Sequence, residues 1–452
     1  MLIGLVITGV LPRAVVPFWT IVLAIYVLWL PLEDSTAFFV RSIPFFIAIP
    51  ITAGFDSLNM WRILSSLIFL KWLFRKESLT SVRGAMSLAV TRHREFHKKH
   101  KISPLVISLL ILAGLSMINA TSPILAIKRI IYFVNLSLIG IVIYNLARKN
   151  WTFSQKLVRN IAIPTIIVAV IGMAQLISTY FMDIFQFVDF WGGVVERNLF
   201  GNAWAETAVR ANTWFAYFGD QLSLRMFSIF PDSHSFPIFL LLGLPAIFAL
   251  AIRKIVEKDS NLGAMLGTRA SLLVVFIPIM FLAAILSGTR GIWAAGVIST
   301  VWVLLMIYTH RRNAGGNSRR FNVLKYITSY LVLFFLLFGL GYYIFASDQF
   351  MVQKDSTGLL ARRARSLIDI SETSNARRIE IWKDSLRSII KHPLLGVGIG
   401  NFPVVVGEDL ARAKAGSSAH NLYLHIAAEM GVPALLLSLW FLLFSLKKTY
   451  YS

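Results

Sequence analysis

The sequence predicts an all-α fold: a polytopic membrane protein of about 12 transmembrane helices, with one large outer loop containing amphipathic helices. Three observations carry this. Of 452 residues, 57% are hydrophobic and only 15% charged, against about 45–50% and about 25% in soluble domains. The apolar residues form uninterrupted blocks such as 326–346, YITSYLVLFFLLFGLGYYIFA, and a run of about 20 residues matches the bilayer core. The excess of positive charge, +22 formally, collects between such blocks, as it does in cytoplasmic loops. A water-soluble enzyme is therefore excluded, and the charge does not call for nucleic acid. With no cysteine, disulfides, thiol catalysis and thiolate metal sites are excluded as well.

Taken in order, spans are expected near 2–11, 14–31, 37–53, 57–74, 104–118, 126–147, 160–182, 236–252, 271–287, 291–309, 326–346 and 421–446. The first is too short to cross alone, because ten residues of helix rise only about 15 Å. It pairs with the second as a shallow hairpin around Pro12 and Arg13. The opening MLIGLVITGVLPR has no basic n-region or small-residue cleavage site, so no removable signal peptide is expected. Orientation follows from Lys and Arg. Lys71, Arg75, Lys76, Arg83, Arg92, Arg94, Lys98, Lys99 and Lys101 face only Glu77 and Glu95, which makes 71–101 a cytoplasmic loop. Alternation from there places Arg148–Arg159, Arg253–Arg269, Arg311–Lys325 and the tail Lys447–Lys448 inside, and each is basic. Both termini are then cytoplasmic, and no cytoplasmic domain is expected after the last span.

The same alternation puts 183–235, the turn Ser287–Gly291 and the stretch 347–420 outside. The expected organisation is a bundle over 1–346, a loop or lid over 347–420, and a last span with a short tail over 421–452. Within the lid, NARRIEIWKDSLRSIIK (375–391) carries Ile379, Trp382, Leu386, Ile389 and Ile390 at three- and four-residue spacing, with Arg377, Arg378, Lys383 and Arg387 on the other face. This is an amphipathic helix, with Asn375 as N-cap and an end before His392-Pro393. It suits the membrane surface as well as it suits packing on the bundle. No internal repeat or low-complexity stretch is present.

Ionisable residues at span edges are costly to place and so are candidates for function. Arg290 sits in SGTRG, a turn between two spans, where a purely snorkelling arginine would instead flank a span. Arg225 lies in LSLRMFSIFPDSHSF, just before the span from Phe236. His420 lies in SSAHNLYLHIAAEMG, directly before the last span. Asn421 follows it, and His425 and Glu429 are four apart on one helical face. Alone, an arginine here anchors and a histidine packs. Together they offer more: planar guanidinium forks bind phosphate oxygens, and an imidazole takes a proton near neutral pH. Such a set suits phosphate-leaving-group chemistry outside the cytoplasm. The glycines of GVGIGNF (Gly396, Gly398, Gly400) lack the strand and Lys-Ser/Thr of a nucleotide loop and read as a flexible turn. Asp232 and His234 have no third ligand at a suitable spacing, so no metal site is expected.

The run HPLLGVGIGNF followed by AHNLYLHIAAEMGVPALL resembles the signature region of the O-antigen ligase and O-antigen polymerase superfamily. SGTRG resembles the family's short Ser-x-Ser/Thr-Arg-Gly turn, and LRMFSIFPDSHSFPIFL its arginine-bearing segment. The resemblance covers about residues 220–446. It implies a metal-independent inverting glycosyltransferase of the bacterial inner membrane, acting at the periplasmic face without a cofactor. The donor would be an undecaprenyl-diphosphate-linked glycan, and the acceptor lipid A core (a ligase) or a second lipid-linked glycan (a polymerase). Carried over residue by residue, His420 falls on the family's proposed base. Arg290 and Arg225 fall on arginines thought to hold the donor diphosphate, and Arg378, in R-x-x-x-W, on a contact to glycan or phosphate. Asn421 and Glu429 are further possible substrate contacts. PDSHSF departs from the asparagine-containing turn of the family, which leaves Asp232 and His234 without a functional role.

Ligase, polymerase and protein-glycosylating variants are not separated by the sequence. A transporter or flippase of lipid-linked sugars is the alternative. It would favour charges at mid-bilayer and broken helices in related halves, and neither is visible in the sequence. A structural scaffold explains the composition but not the outer Arg and His set.

Overall fold

The computed structural model describes residues 2–51, 58–74, 102–210, 213–218, 221–257, 269–289, 291–296, 298–299, 317–350, 373–408 and 418–451. Arg290 and most of the basic loop at 71–101 lie outside the described residues, as do residues 310–316 of the basic segment 310–325. The chain divides into two compact units, Met1–Leu64 with Ile143–Arg363, and Ser65–Val142 with Ala364–Ser452.

The helices are α1 (Leu2–Ile7), α2 (Val16–Trp29), α3 (Leu32–Ser42), α4 (Met60–Leu73), α5 (Ile102–Ser116), α6 (Pro123–Lys149), α7 (Trp151–Ser178), α8 (Ile184–Val188), α9 (Arg197–Phe200), α10 (Asn202–Arg210), α11 (Ser235–Glu257), α12 (Arg269–Leu286), α13 (Asn317–Ala346), α14 (Thr373–Lys391) and α15 (Leu422–Tyr451). Among the described residues, Pro123–Lys149, Trp151–Ser178 and Leu422–Lys447 are long and apolar enough to cross a membrane. Five apolar helices are shorter: Arg13–Trp29, Leu105–Asn119, Ser235–Leu250, Phe276–Leu286 and Leu331–Ala346. Their outward faces carry Phe18, Ile25, Trp29, Ile124, Phe133, Leu136 and Leu443, all exposed. So much exposed apolar surface is stable only against lipid, and the protein is a membrane protein.

Two expected spans differ from the structure. The region 37–53 is not one helix. The eleven-residue α3 gives way to a 3-10 turn, Ile43–Phe45, and then to an extended bridge between Ala48 and Asn59. Pro44 follows the end of α3 closely, where the fixed proline φ and missing N–H end a helix. The span at 421–446 is interrupted rather than continuous: Gly431 has φ 83° and ψ 171° inside α15, just before Pro433. A broken helix is thus present although the sequence reading found none.

In the first unit, α7 packs on α3, α11 and α12, and α12 packs on α13. Gly243 of α11 lies against Thr165 of α7, where any Cβ would overlap the threonine side chain. Within the region expected as an outer loop, 183–235, the described residues form defined elements. Asp183 opens α8 with a capping box, and a π-helix follows over Asp189–Glu196. The all-α expectation misses an antiparallel hairpin, β1 (Phe215–Phe218) and β2 (Gln221–Leu224), in register Phe215↔Leu224. Trp214 stacks on Phe227 with ring centres 4.3 Å apart, and Phe187 packs edge-on to Phe215, Phe227 and Phe350.

In the second unit, α5 packs along α15, and α14 packs on α15 and on the 3-10 turn Phe402–Val406. The expected amphipathic helix at 375–391 is α14. It begins at Thr373, two residues before the predicted cap, and ends before His392-Pro393 as predicted.

Candidate functional site

In the first unit the site is built around Arg225, the residue that leaves strand β2. The Arg225 N–H donates to Trp214 O at 2.8 Å, and the Met226 N–H to Leu286 O at 3.0 Å, which ties the strand end to the end of α12. The guanidinium then lies along the turn after α12. Nε donates to Ser287 O at 3.2 Å and Nη2 to Thr289 Oγ1 at 3.3 Å. Gly288, at φ 65°, leaves room for it, because a Cβ there would stand 3.2 Å from Arg225 Nε. Thr289 donates in turn to Ser233 O at 2.8 Å. Arg225, the SGT turn and the PDSHS segment therefore form one hydrogen-bonded assembly.

Two buried amides hold this assembly, and sequence reasoning missed both. Gln175 of α7 is fully buried. Its Oε1 accepts from Phe227 N at 3.0 Å and Ser228 N at 2.9 Å, while Nε2 donates to Ser228 O at 3.1 Å. It thereby fixes Ser228 at φ 56°, a conformation non-glycine residues seldom adopt. Gln349 does the same for the strand: its Oε1 accepts from Leu224 N at 2.7 Å. A lone Gln in an apolar stretch is the available signal, since an unpaired amide in hydrocarbon is costly.

Asp232 and His234, left without a role in the sequence reading, have a structural one. Asp232 Oδ1 accepts from the His234 and Ser235 N–H groups, both at 2.8 Å, and Oδ2 from Ser235 Oγ at 2.7 Å. It caps α11. Burial raises the Asp232 carboxyl, but these donors outweigh it and hold the pKa at about 2. Glu196, at the end of the π-helix, is fully buried, and neither carboxyl oxygen is hydrogen-bonded among the described residues. Burial, and then the negative charge of Asp232, raise its pKa well above the usual carboxylate range.

In the second unit His420 stands between two anchored neighbours. Before it, Ala419 is fully buried, and its carbonyl accepts from Trp382 Nε1 at 2.8 Å. After it, Asn421 Oδ1 accepts from Tyr423 N at 3.0 Å and Leu424 N at 3.2 Å, capping α15. His420 itself is exposed and sits at φ 49°. Its backbone N–H donates to Ser418 Oγ at 3.4 Å. Left-handed backbone at a non-glycine residue persists only where neighbours impose it, and it clusters at active sites.

Glu429 and the GVGIG run form one construction. Gly431 breaks α15, and the groups that the break frees are taken up by the loop. Val397 N donates to Ala428 O at 2.9 Å, Gly398 N to Glu429 O at 2.9 Å, and Val432 N to Pro393 O at 2.8 Å. Gly396 and Gly431 meet the opposite backbone so closely that a Cβ on either would overlap it. Glu429 Oε1 accepts from Phe402 N at 3.1 Å, and Oε2 lies 3.5 Å from His425 Nε2. Asn401 and Ser116 tie the loop to the α5–α6 turn, through Ser122 N to Asn401 Oδ1 at 2.8 Å and Ile399 N to Ser116 Oγ at 3.1 Å. The turn expected to be flexible is thus a fixed wedge, because its glycines supply the positive φ and close approach that the break demands. Glu429 and Asn421 both have protein partners here, and Arg378 is exposed on α14.

Residues 273–439 match the family described as O-Antigen ligase. This segment, a little over a third of the chain, is similar to the O-antigen ligase and polymerase superfamily. Members of that family are O-antigen ligases or polymerases, which are glycosyltransferases. The O-antigen ligase segment contains Arg290, Arg378, His420, Asn421 and Glu429, and ends beyond the break in α15. Arg225 precedes it. No curated protein and no solved structure matches the chain.

Proposed function

We propose that the protein is an inverting glycosyltransferase of O-antigen ligase or polymerase type, moving a glycan from undecaprenyl diphosphate to an acceptor hydroxyl at the periplasmic face of the inner membrane. The observation that carries this reading is the O-antigen ligase match over 273–439, which includes both Arg290 and His420. His420 is assigned as the base. It accepts the proton of the acceptor hydroxyl while that oxygen bonds to the anomeric carbon. The bond from that carbon to the diphosphate oxygen breaks on the opposite face, and its electron pair leaves with the lipid diphosphate. Arg225 and Arg290 are assigned to the leaving diphosphate, whose charge grows in the transition state. Fixed guanidiniums stabilise such charge best when they need not reorganise, and the anchoring of Arg225 over the Ser287–Thr289 turn supports that role. Arg378, Asn421 and Glu429 are assigned to glycan or phosphate contact, alongside the fold roles of Asn421 as cap of α15 and of Glu429 as acceptor from Phe402 N. The loop over 347–420 acts as a lid.

The reading is tested by glycan transfer with purified protein and lipid-linked donor, offering lipid A core and a second donor in separate reactions. His420→Ala is expected to abolish transfer while membrane insertion persists, and normal transfer would remove His420 as the base. Arg290→Lys is expected to fail as well, since an ammonium lacks the fork. Transfer that survives excess chelator supports the metal-independent reading, and loss of transfer overturns it.

A further inference from the structure

We infer that α14 is an interfacial anchor whose outer apolar stripe docks on the headgroup layer of an anionic bilayer, in the leaflet where α15 begins. The helix has two apolar faces rather than the single one its sequence suggests. One is used within the protein: Ile381 and Ile389 pack against Phe402, Ala419 and Ala428, and Ser385 between them is fully buried. The other is left largely open among the described residues. It consists of Ile379, Trp382, Leu386 and Ile390, continued by Leu394, and Leu386 and Ile390 are 51% and 79% exposed. At 3.6 residues per turn this stripe lies roughly a quarter turn from the packed face, so the helix presents it sideways from the second unit.

Three further observations identify the occupant as lipid. The first is level. Trp382 Nε1 donates to Ala419 O, and α15, an apolar helix long enough to cross a membrane, begins at Leu422. The stripe therefore sits where a span enters the bilayer. The second is chemistry. A tryptophan with its N–H on a carbonyl and its ring beside aliphatic residues is the usual interfacial arrangement. The third is charge. Lys383, Arg387 and Lys391 follow one another along the helix on the far side of the stripe from the packed face. A basic polar face beside an apolar one binds anionic headgroups. Asp384 pairs with Arg387, at 3.0 Å. The inference is independent of the glycan-transfer reading.

The chain has no cysteine, so single-cysteine variants can be spin-labelled in the full-length protein without further changes. Labels at Leu386→Cys, Ile390→Cys and Glu380→Cys would be compared in proteoliposomes of phosphatidylglycerol and of phosphatidylcholine, by collision with oxygen and with a water-soluble nickel chelate. The expected result is high oxygen and low nickel collision at 386 and 390, with the ratio inverted at 380. In phosphatidylglycerol the ratio at 386 and 390 should shift further toward oxygen, and Lys383→Gln with Arg387→Gln and Lys391→Gln should abolish that shift. Labels at 386 and 390 as open to nickel as at 380 would overturn the proposal, since the stripe would then face water. Labels closed to both reagents would also overturn it, because protein would then cover the stripe. Equal ratios in the two lipids would overturn the anionic assignment.

Discussion

Gln175 shows how a single residue positions chemistry it does not perform. Its amide satisfies two N–H groups and one carbonyl in the turn after Arg225, where Gln175, Phe227 and Ser228 are all buried. Gln175→Leu leaves those groups unpaired, at about 1–3 kcal/mol each. The expected outcome is a lowered thermal midpoint in detergent together with reduced glycan transfer, whereas Gln175→Glu keeps the acceptor and loses less. The carboxyl pair nearby makes opposite contributions to pH dependence. Glu196 has a folded pKa raised above its unfolded value, so the stability linked to it is complete below the ordinary carboxylate range and is lost as pH rises through the raised value. Asp232 has its pKa lowered from 3.8 to about 2. Its contribution is complete above 3.8 and is lost as pH falls toward about 2. Glu196→Gln is therefore expected to remove a decline in thermal midpoint on the alkaline side of the carboxylate range, and Asp232→Asn a decline on the acid side; unchanged pH profiles would refute both assignments. Arg225 and His420 could be picked out from their sequence motifs. Gln175 and Glu196 could not be assigned, because their partners lie far away in the sequence and a lone polar residue does not name its partner.

At the scale of elements, the break in α15 and the wedge at 393–402 depend on one another. An interrupted helix within an apolar bundle leaves carbonyls and N–H groups that lipid cannot satisfy, and the glycine-rich loop supplies them. Here the break is filled by protein backbone, unlike the open half-helix ends that coordinate ions in transporters. Gly431→Ala is expected to displace the wedge, because the added Cβ overlaps the Leu394 carbonyl and the residue must keep φ 83°. Circular dichroism melting and limited proteolysis near 393–402 would report this as a loss of several kcal/mol, on the order of the larger single-residue effects. A control at Gly407, where a Cβ would meet nothing within 4 Å despite φ 69°, should be milder. Both motifs were legible, and so was the amphipathic period of α14. The rigidity of the loop was not, since glycine permits many conformations and only its partner 30 residues on selects one. The pairing of Phe215–Phe218 with Gln221–Leu224 was missed although the intervening sequence, Gly-Asp, is a dipeptide favoured between paired strands. Its short strands sit beside apolar helices, and the local pattern was read as loop.

For the whole molecule, helical membrane architecture follows from composition alone, while the count of crossings and their orientation rest on charge alternation. A single cysteine at Ser418 is expected to react with a membrane-impermeant maleimide from the periplasmic side, and one at Arg148 only after permeabilisation; the reverse pattern would invert the proposed topology. What the sequence determined by itself was the solvent, the helical class, the family segment and the residue types suited to phosphate and proton transfer, because these depend on composition and short-range spacing. What only the tertiary structure decided was how distant segments combine: two units each drawn from separated stretches of chain, an arginine laid over a turn some sixty residues later, and a broken helix sealed by a preceding loop. Those arrangements arise from buried hydrogen bonds and backbone contacts between remote residues, and no local pattern encodes the partner.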